Sequence, residues 1–471
     1  MLSKLKEGHW PIFILTSFSS IANLFLPIIL TRLLSPEDIG TYKIFFLYLT
    51  LIPFLFLTGG PLHSVYYWIG KKENRQTYIN SAYQLTIFLS LFIAIIGVPF
   101  YSYFAELIGL NANNTLVLIF VAVLWVPSSF YKEYKLAQGH TVYGSIFGTL
   151  MELIKVVLFI SLAYQGYQIA FLFKAYLFFL IFKAILTLVL GLKEQLNPIT
   201  IDLQKMKEVW NYCTPIALAG LLSFFVDKMD QIVLTKFLAK DDFAFYTMGC
   251  LIIPPLLLLE MSVNKVLIPK TSEYWEDNKD LCLEFFRKAV SDSALLLIPA
   301  SVGLYIFAKP IVELLYTSKF LDSVKYLEVF AFSYLILIIP YDAVPRATGN
   351  TKWIFKMSVL VSPLSLLGIL LASTYYGAYE VLLVSIGFKL LYRVLALSYT
   401  CKIMNWSVFA TLPLKKVSIF SFVSIILGIV SLMTQNYFPN DLYWFFAMGI
   451  IFFIMYFVAL IIPYKKGYFN V

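Results

Sequence analysis

Fourteen apolar stretches, each about long enough to cross a bilayer, follow one another along the chain at about 10–31, 42–68, 80–104, 115–131, 143–164, 168–191, 210–236, 243–269, 288–308, 327–346, 354–375, 379–401, 417–434 and 442–463. A spanning helix needs about 20 such residues. With 60% of 471 residues hydrophobic, 13% charged and a mean hydropathy of +0.81, the chain has too little polar surface to be wetted as a soluble globule. A disordered chain and a secreted disulfide scaffold are excluded on the same grounds. The expectation is an all-α polytopic membrane protein of about fourteen helices. Gly59, Gly60 and Pro61 predict a break in the second run. The first run lacks a small-residue cleavage site and is read as a retained helix.

The connections between the runs alternate in how many basic residues they carry. Twenty-two Lys and Arg fall on the side that begins with Lys4 and Lys6, passes through Lys71, Lys72 and Arg75, and ends with Lys465 and Lys466; seven fall on the other side. The positive-inside rule then places both termini in the cytoplasm. This bias accounts for most of the net charge of +9, so nucleic acid is not an expected partner. Cys213, Cys250, Cys282 and Cys401 lie too far apart for a metal or disulfide framework and read as packing residues. His9, His63 and His140 are too scattered for a zinc site. Residues 270–288 mix charge with Leu281, Leu283, Phe285 and Phe286, and read as an interfacial amphipathic helix.

An internal repeat organises the runs. Residues 30–42, LTRLLSPEDIGTY, recur at 234–246 as LTKFLAKDDFAFY, with Leu30/Leu234, Thr31/Thr235, Leu34/Leu238, Asp38/Asp242 and Tyr42/Tyr246 identical. Six runs separate the copies, so two halves enter the membrane in the same direction, the parallel-repeat plan of many transporters. The expected organisation is a six-helix bundle over 1–208, a second over 209–404, and two additional helices over 405–471.

The segment Arg32–Tyr42, read after a first apolar helix, resembles the "LLSPEEFG-Y" segment of the polysaccharide (O-antigen type) flippases of the multidrug/oligosaccharidyl-lipid/polysaccharide exporter superfamily. Three weaker stretches agree. Gly60-Pro61 resembles that family's Gly-rich helix end. Leu315–Phe320 resembles its "LLYG-x-F" loop, with Thr317 in place of the usual Gly. Ala347–Lys352 resembles its "A-x-G-K-T-K" turn, with Asn350 in place of Lys. The resemblance implies a bacterial cytoplasmic-membrane flippase that moves an undecaprenyl-diphosphate-linked oligosaccharide from the inner to the outer leaflet by alternating access. Membrane lipid and glycan assembly proteins are its implied partners.

Charges inside the runs carry the chemistry. A charge at mid-helix costs about 2.5–3.5 kcal/mol on insertion scales, so it faces water or a partner. The embedded set is Glu152, Lys155, Lys174, Lys183, Asp227, Lys228, Asp230, Glu260, Lys265, Lys389 and Arg393. Lys389 and Arg393, spaced i,i+4, cannot neutralise each other and call for an anion. Lys155, Lys174, Lys183 and Lys228 extend that cationic set, which would hold a diphosphate. Asp227 and Asp230, with Glu152 and Glu260, are the candidates for coupling to H⁺ or Na⁺. The bland alternative is mutual pairing, as Glu152 and Lys155 at i,i+3 allow. No phosphate loop, metal cluster or catalytic constellation is present in the sequence, and no cofactor is expected beyond a coupling ion. The longest outer connection, about 309–326, is short for a glycan polymerase or ligase, which is the rival enzyme reading. A drug/cation antiporter is disfavoured, because a net-positive interior would repel cationic drugs. A flippase for the peptidoglycan lipid precursor would share nearly all of these features.

Overall fold

The structure, a computed structural model, describes residues 10–71, 73–435 and 442–465. Lys4, Lys6, His9, Lys72 and Lys466 lie outside the described residues. Helices account for nearly all of these, with no strand among them. This follows from the medium: without water, each backbone N–H and C=O must be satisfied within its own segment. The chain divides into two compact units, Met1–Ala244 and Phe245–Val471.

The first unit holds α1 (Trp10–Leu33), α2 (Pro36–Leu55), α3 (Gly59–Trp68), α4 (Arg75–Gly97), α5 (Tyr101–Ile108), α6 (Ala112–Trp125), α7 (Pro127–Ala137), α8 (Thr141–Tyr164), α9 (Ile169–Lys193) and α10 (Leu203–Phe237). Local signals set the ends. Ser35 caps α2, its hydroxyl accepting from the Asp38 N–H at 3.1 Å, with Pro36 in the first turn. Asn111 and Asp202 cap α6 and α10 in the same way. As expected, the second run is broken: α2 stops at Leu55, Leu57 takes a left-handed φ of 56°, and α3 starts at Gly59. Small hydroxyls join α1 to α8, where Ser19 donates to Thr149 at 3.0 Å and Thr149 donates to the Leu15 carbonyl at 3.1 Å. Phe45 of α2 stacks on Phe173 of α9 with ring centres 3.9 Å apart. α10 packs against α2, α3, α4 and α5 within this unit.

The two copies of the repeat meet at one end of this unit. A Cβ on Gly40 would lie 1.7 Å from the Lys240 carbonyl oxygen. The Lys240 ammonium is 3.6 Å from Glu37, and the Tyr48 and Thr235 hydroxyls are 2.9 Å apart. Gly40 is required here because no side chain fits.

Past α11 (Lys240–Gly249), which crosses the division, the second unit holds α12 (Pro254–Tyr274), α13 (Lys279–Ile306), α14 (Ala308–Tyr316), a 3₁₀ turn (Ser318–Ser323), α15 (Val324–Ala331), α16 (Ser333–Ile336), α17 (Ala343–Ala347), α18 (Thr351–Tyr375), α19 (Ala378–Met404), α20 (Val408–Thr411), α21 (Leu414–Gln435) and α22 (Leu442–Lys465). α13 is its axis, packed by α12, α15 and α21. All four cysteines are buried.

Among the described residues, eleven helices are long and apolar enough to cross a membrane, or twelve counting α11–α12 as one span bent by 50°. Two expectations need correction. The tenth run, 327–346, is α15 and α16, interrupted at Phe332, followed by α17, which non-helical backbone around Pro340 separates from α16. Proline removes a donor and clashes with the preceding turn, which ends a helix. The stretch 270–288 is the end of α12 and the start of α13, joined by a short connection capped by Asn278, with Cys282 and Phe286 buried in the core. Its mixed pattern is that of two helix ends. At the α11–α12 bend the Tyr334 hydroxyl accepts from Ile253 N–H at 2.8 Å and donates to the Leu251 carbonyl at 2.7 Å, which replaces the lost helical bonds.

Candidate functional site

In the first unit, charged side chains from α7, α8 and α9 converge. Lys155 donates to Glu152 at 2.6 Å and to the Asn23 side-chain oxygen at 2.7 Å, and Asn23 returns its amide to Glu152 at 3.2 Å. The i,i+3 pair thus forms, closed into a triangle by α1. On α7, Glu133 accepts the Tyr66 hydroxyl at 2.7 Å and faces Lys132 at 3.3 Å. Lys183 of α9 is buried, at 8% exposure. Its ammonium makes one long hydrogen bond, 3.4 Å to the Ser129 hydroxyl, and no ion pair among the described residues. Glu152, Lys132, Lys155 and Glu133 are its charged neighbours. Three ammonium groups thus stand against two carboxylates, and the most buried of the three has the weakest partner.

The second unit holds a tighter network. Arg393 of α19, also 8% exposed, lies 2.8 Å from Glu260 of α12 and donates to the Ile339 carbonyl at 2.6 Å. Its guanidinium sits 4.5 Å above the centre of the Tyr341 ring. Ile339 precedes Pro340, so the break in the tenth run exposes the carbonyl that Arg393 uses. Asp342, buried beside it, pairs with Arg346 at 2.6 Å and accepts from Asn264 at 3.3 Å.

The structure brings Glu152, Lys155 and Lys183 together in one unit, and Glu260 and Arg393 together in the other. Glu260 pairs with Arg393 rather than Lys265, which is exposed. Lys389 lies one turn before Arg393, half-buried and with no hydrogen bond or ion pair among the described residues. Lys174 is exposed and Lys228 half-buried; Asp227 is exposed and Asp230 buried. Asp227 and Asp230 both have interaction partners. His63 and His140 are exposed. Lys132, Glu133 and Tyr66 join the first network although the sequence reading placed Lys132 in a connection. The apolar run ends before Lys132, whereas the helical span from Ala112 continues through Lys132 and Glu133 to Ala137. Among the described residues no group of His, Cys, Asp and Glu could hold a metal ion.

A family model described as "Polysaccharide biosynthesis protein" matches residues 29–325, well over half of the chain. The chain belongs to this family. Among curated relatives of the polysaccharide biosynthesis proteins, it is 22% identical over 368 residues to the capsular polysaccharide biosynthesis protein CapF of Staphylococcus aureus, covering 74% of this chain and 87% of that protein. The fold is shared with the lipid II flippase MurJ in an inward closed conformation, at a TM-score of 0.71 and 17% identity, covering 97% of this chain and 99% of that one. It is also shared with an inward-facing multidrug resistance MATE family transporter of the MOP superfamily, at a TM-score of 0.61 and 12% identity, covering 82% and 94%. This polysaccharide biosynthesis family member is a multi-pass membrane protein with a transporter fold.

Proposed function

We propose that the protein is a flippase that carries an undecaprenyl-diphosphate-linked oligosaccharide from the cytoplasmic to the outer leaflet of a bacterial cytoplasmic membrane, by alternating access. Both termini are then cytoplasmic, as the basic connections require. The observation that carries this reading is Lys183. A buried ammonium without an ion pair is costly in a low dielectric, and an incoming diphosphate offsets that cost. Lys132 and Lys155 stand by with part of their charge already committed to Glu133 and Glu152. In the second unit, Arg393 offers a planar fork suited to phosphate oxygens once Glu260 gives way, with Lys389 one turn distant.

Coupling follows from the same pairs. Protonation of Glu260 or Glu152, or capture of Na⁺ by them, would free Arg393 or Lys155 for the anion. Release of the anion would reverse the exchange. Asp227 and Asp230 remain candidates for the coupling ion.

The test is transfer in vesicles. Purified protein is reconstituted with a fluorescent polyprenyl-diphosphate-linked oligosaccharide, and outer-leaflet label is destroyed chemically. Accelerated loss of the protected fraction relative to protein-free vesicles supports the proposal; equal rates refute it. The peptidoglycan precursor lipid, run beside it, shows which head group is carried.

A further inference from the structure

The exposed face of α3 carries a second kind of chemistry. Its residues His63, Tyr66 and Tyr67 point away from the packed face formed by Leu62, Val65 and Trp68. Tyr66 and Tyr67 are 46% and 44% exposed. Both are nonetheless fixed. The Tyr67 ring stacks on Tyr212 of α10, centres 4.3 Å apart and nearly parallel at 13°. The Tyr66 hydroxyl is held by Glu133 of α7 at 2.7 Å. The Lys71 ammonium sits over the Tyr67 ring at 5.2 Å. Lys71 also lines a hollow of about 690 Å³ with Asn74, Arg75, Gln76 and Gln195. Rigid aromatic faces beside a carboxylate and side-chain amides suit an amphipathic ring with an apolar flank and a hydroxylated rim.

We infer that Tyr66, Tyr67 and Glu133, with Tyr212 as a backing ring, form a saccharide subsite that holds the first sugar of the lipid-linked substrate. The inference rests on the flippase reading above and adds the recognition of sugar to that of diphosphate. A pyranose ring displaces the exposed Lys71 ammonium from the Tyr67 ring and lays its C–H flank there, burying apolar area against the face opposite Tyr212. A sugar hydroxyl donates to Glu133 in competition with the Tyr66 hydroxyl. Glu133 is the link between the two functions, because it is also a charged neighbour of Lys132 and Lys183. Head group and first sugar are therefore read within one unit, by residues from α3, α7 and α9.

The experiment compares two probes on full-length protein: geranylgeranyl diphosphate, and the same lipid bearing one N-acetylhexosamine. Affinity is read by titration of intrinsic fluorescence in detergent, and thermal unfolding checks the fold of each variant. Wild-type protein is expected to bind the sugar-bearing lipid about tenfold more tightly. Tyr67→Ala is expected to remove that preference while leaving affinity for the bare diphosphate lipid unchanged. Tyr67→Phe, which keeps the ring, is expected to keep it. Glu133→Gln is expected to weaken the preference about threefold. Equal wild-type binding of the two lipids overturns the subsite, as does a preference that survives Tyr67→Ala. Failure of both lipids to bind would overturn the flippase reading instead.

Discussion

The Arg393 guanidinium is held 2.8 Å from the Glu260 carboxylate, with its other terminal nitrogen on the Ile339 carbonyl at 2.6 Å. A pair buried in this way contributes little when intact and costs much when halved. Arg393→Ala alone should therefore lower stability by about 3–5 kcal/mol, because Glu260 is left charged and unpaired. Arg393→Met with Glu260→Met should recover most of that loss, since both charges leave together. Thermal unfolding of the three variants in detergent checks this; a single variant as stable as wild type contradicts it. The double variant should be folded but impaired in glycan export.

Gly40 predicts a sharp steric effect. Gly40→Ala drives a methyl into the Lys240 backbone, which no side-chain rotation relieves. Folded yield should collapse, or the two repeat elbows should part and transport stop. Gly387→Ala is the matched control within a helix, where nothing lies within 4 Å of the added methyl. It should be neutral or stabilising by up to about 1 kcal/mol. Comparable losses from both changes would count against the close approach.

Thr317 holds a backbone conformation of φ 75°, ψ 168°, a region that belongs to glycine. Its hydroxyl oxygen is buried without a hydrogen-bond partner among the described residues. The resembling family loop carries Gly here. Relief of strain worth about 1–3 kcal/mol outweighs the entropy Gly adds to the unfolded chain. Thr317→Gly should raise the melting temperature by a few degrees, and Thr317→Val should not.

The helices were legible in the sequence because apolar length is a local signal. Gly59, Gly60 and Pro61 announced the break between α2 and α3 for the same reason. The breaks at 250–253 and near Pro340 were less legible. Their cost is offset by distant groups, the Tyr334 hydroxyl at one and the Arg393 guanidinium at the other. Spacing arguments found Glu152 with Lys155, three residues apart, and missed Glu260 with Arg393, which come from different helices. They missed Glu133 and Tyr66 because a charge near a helix end reads as a connection until the helix is seen to continue. Lys183 was read as one member of a cationic set, and only its burial and its single long bond to Ser129 distinguish it from Lys155, Lys174 and Lys228.

The central claim is that Lys183 is kept without an ion pair for the diphosphate of a lipid-linked sugar. Its most direct measurement is the initial rate at which reconstituted wild-type, Lys183→Ala and Lys183→Arg proteins move fluorescent polyprenyl-diphosphate-linked oligosaccharide between leaflets. The account predicts that Lys183→Ala falls at least about tenfold while its unfolding temperature is kept or raised, and that Lys183→Arg retains much of the rate. Wild-type transfer by a folded Lys183→Ala protein would contradict it.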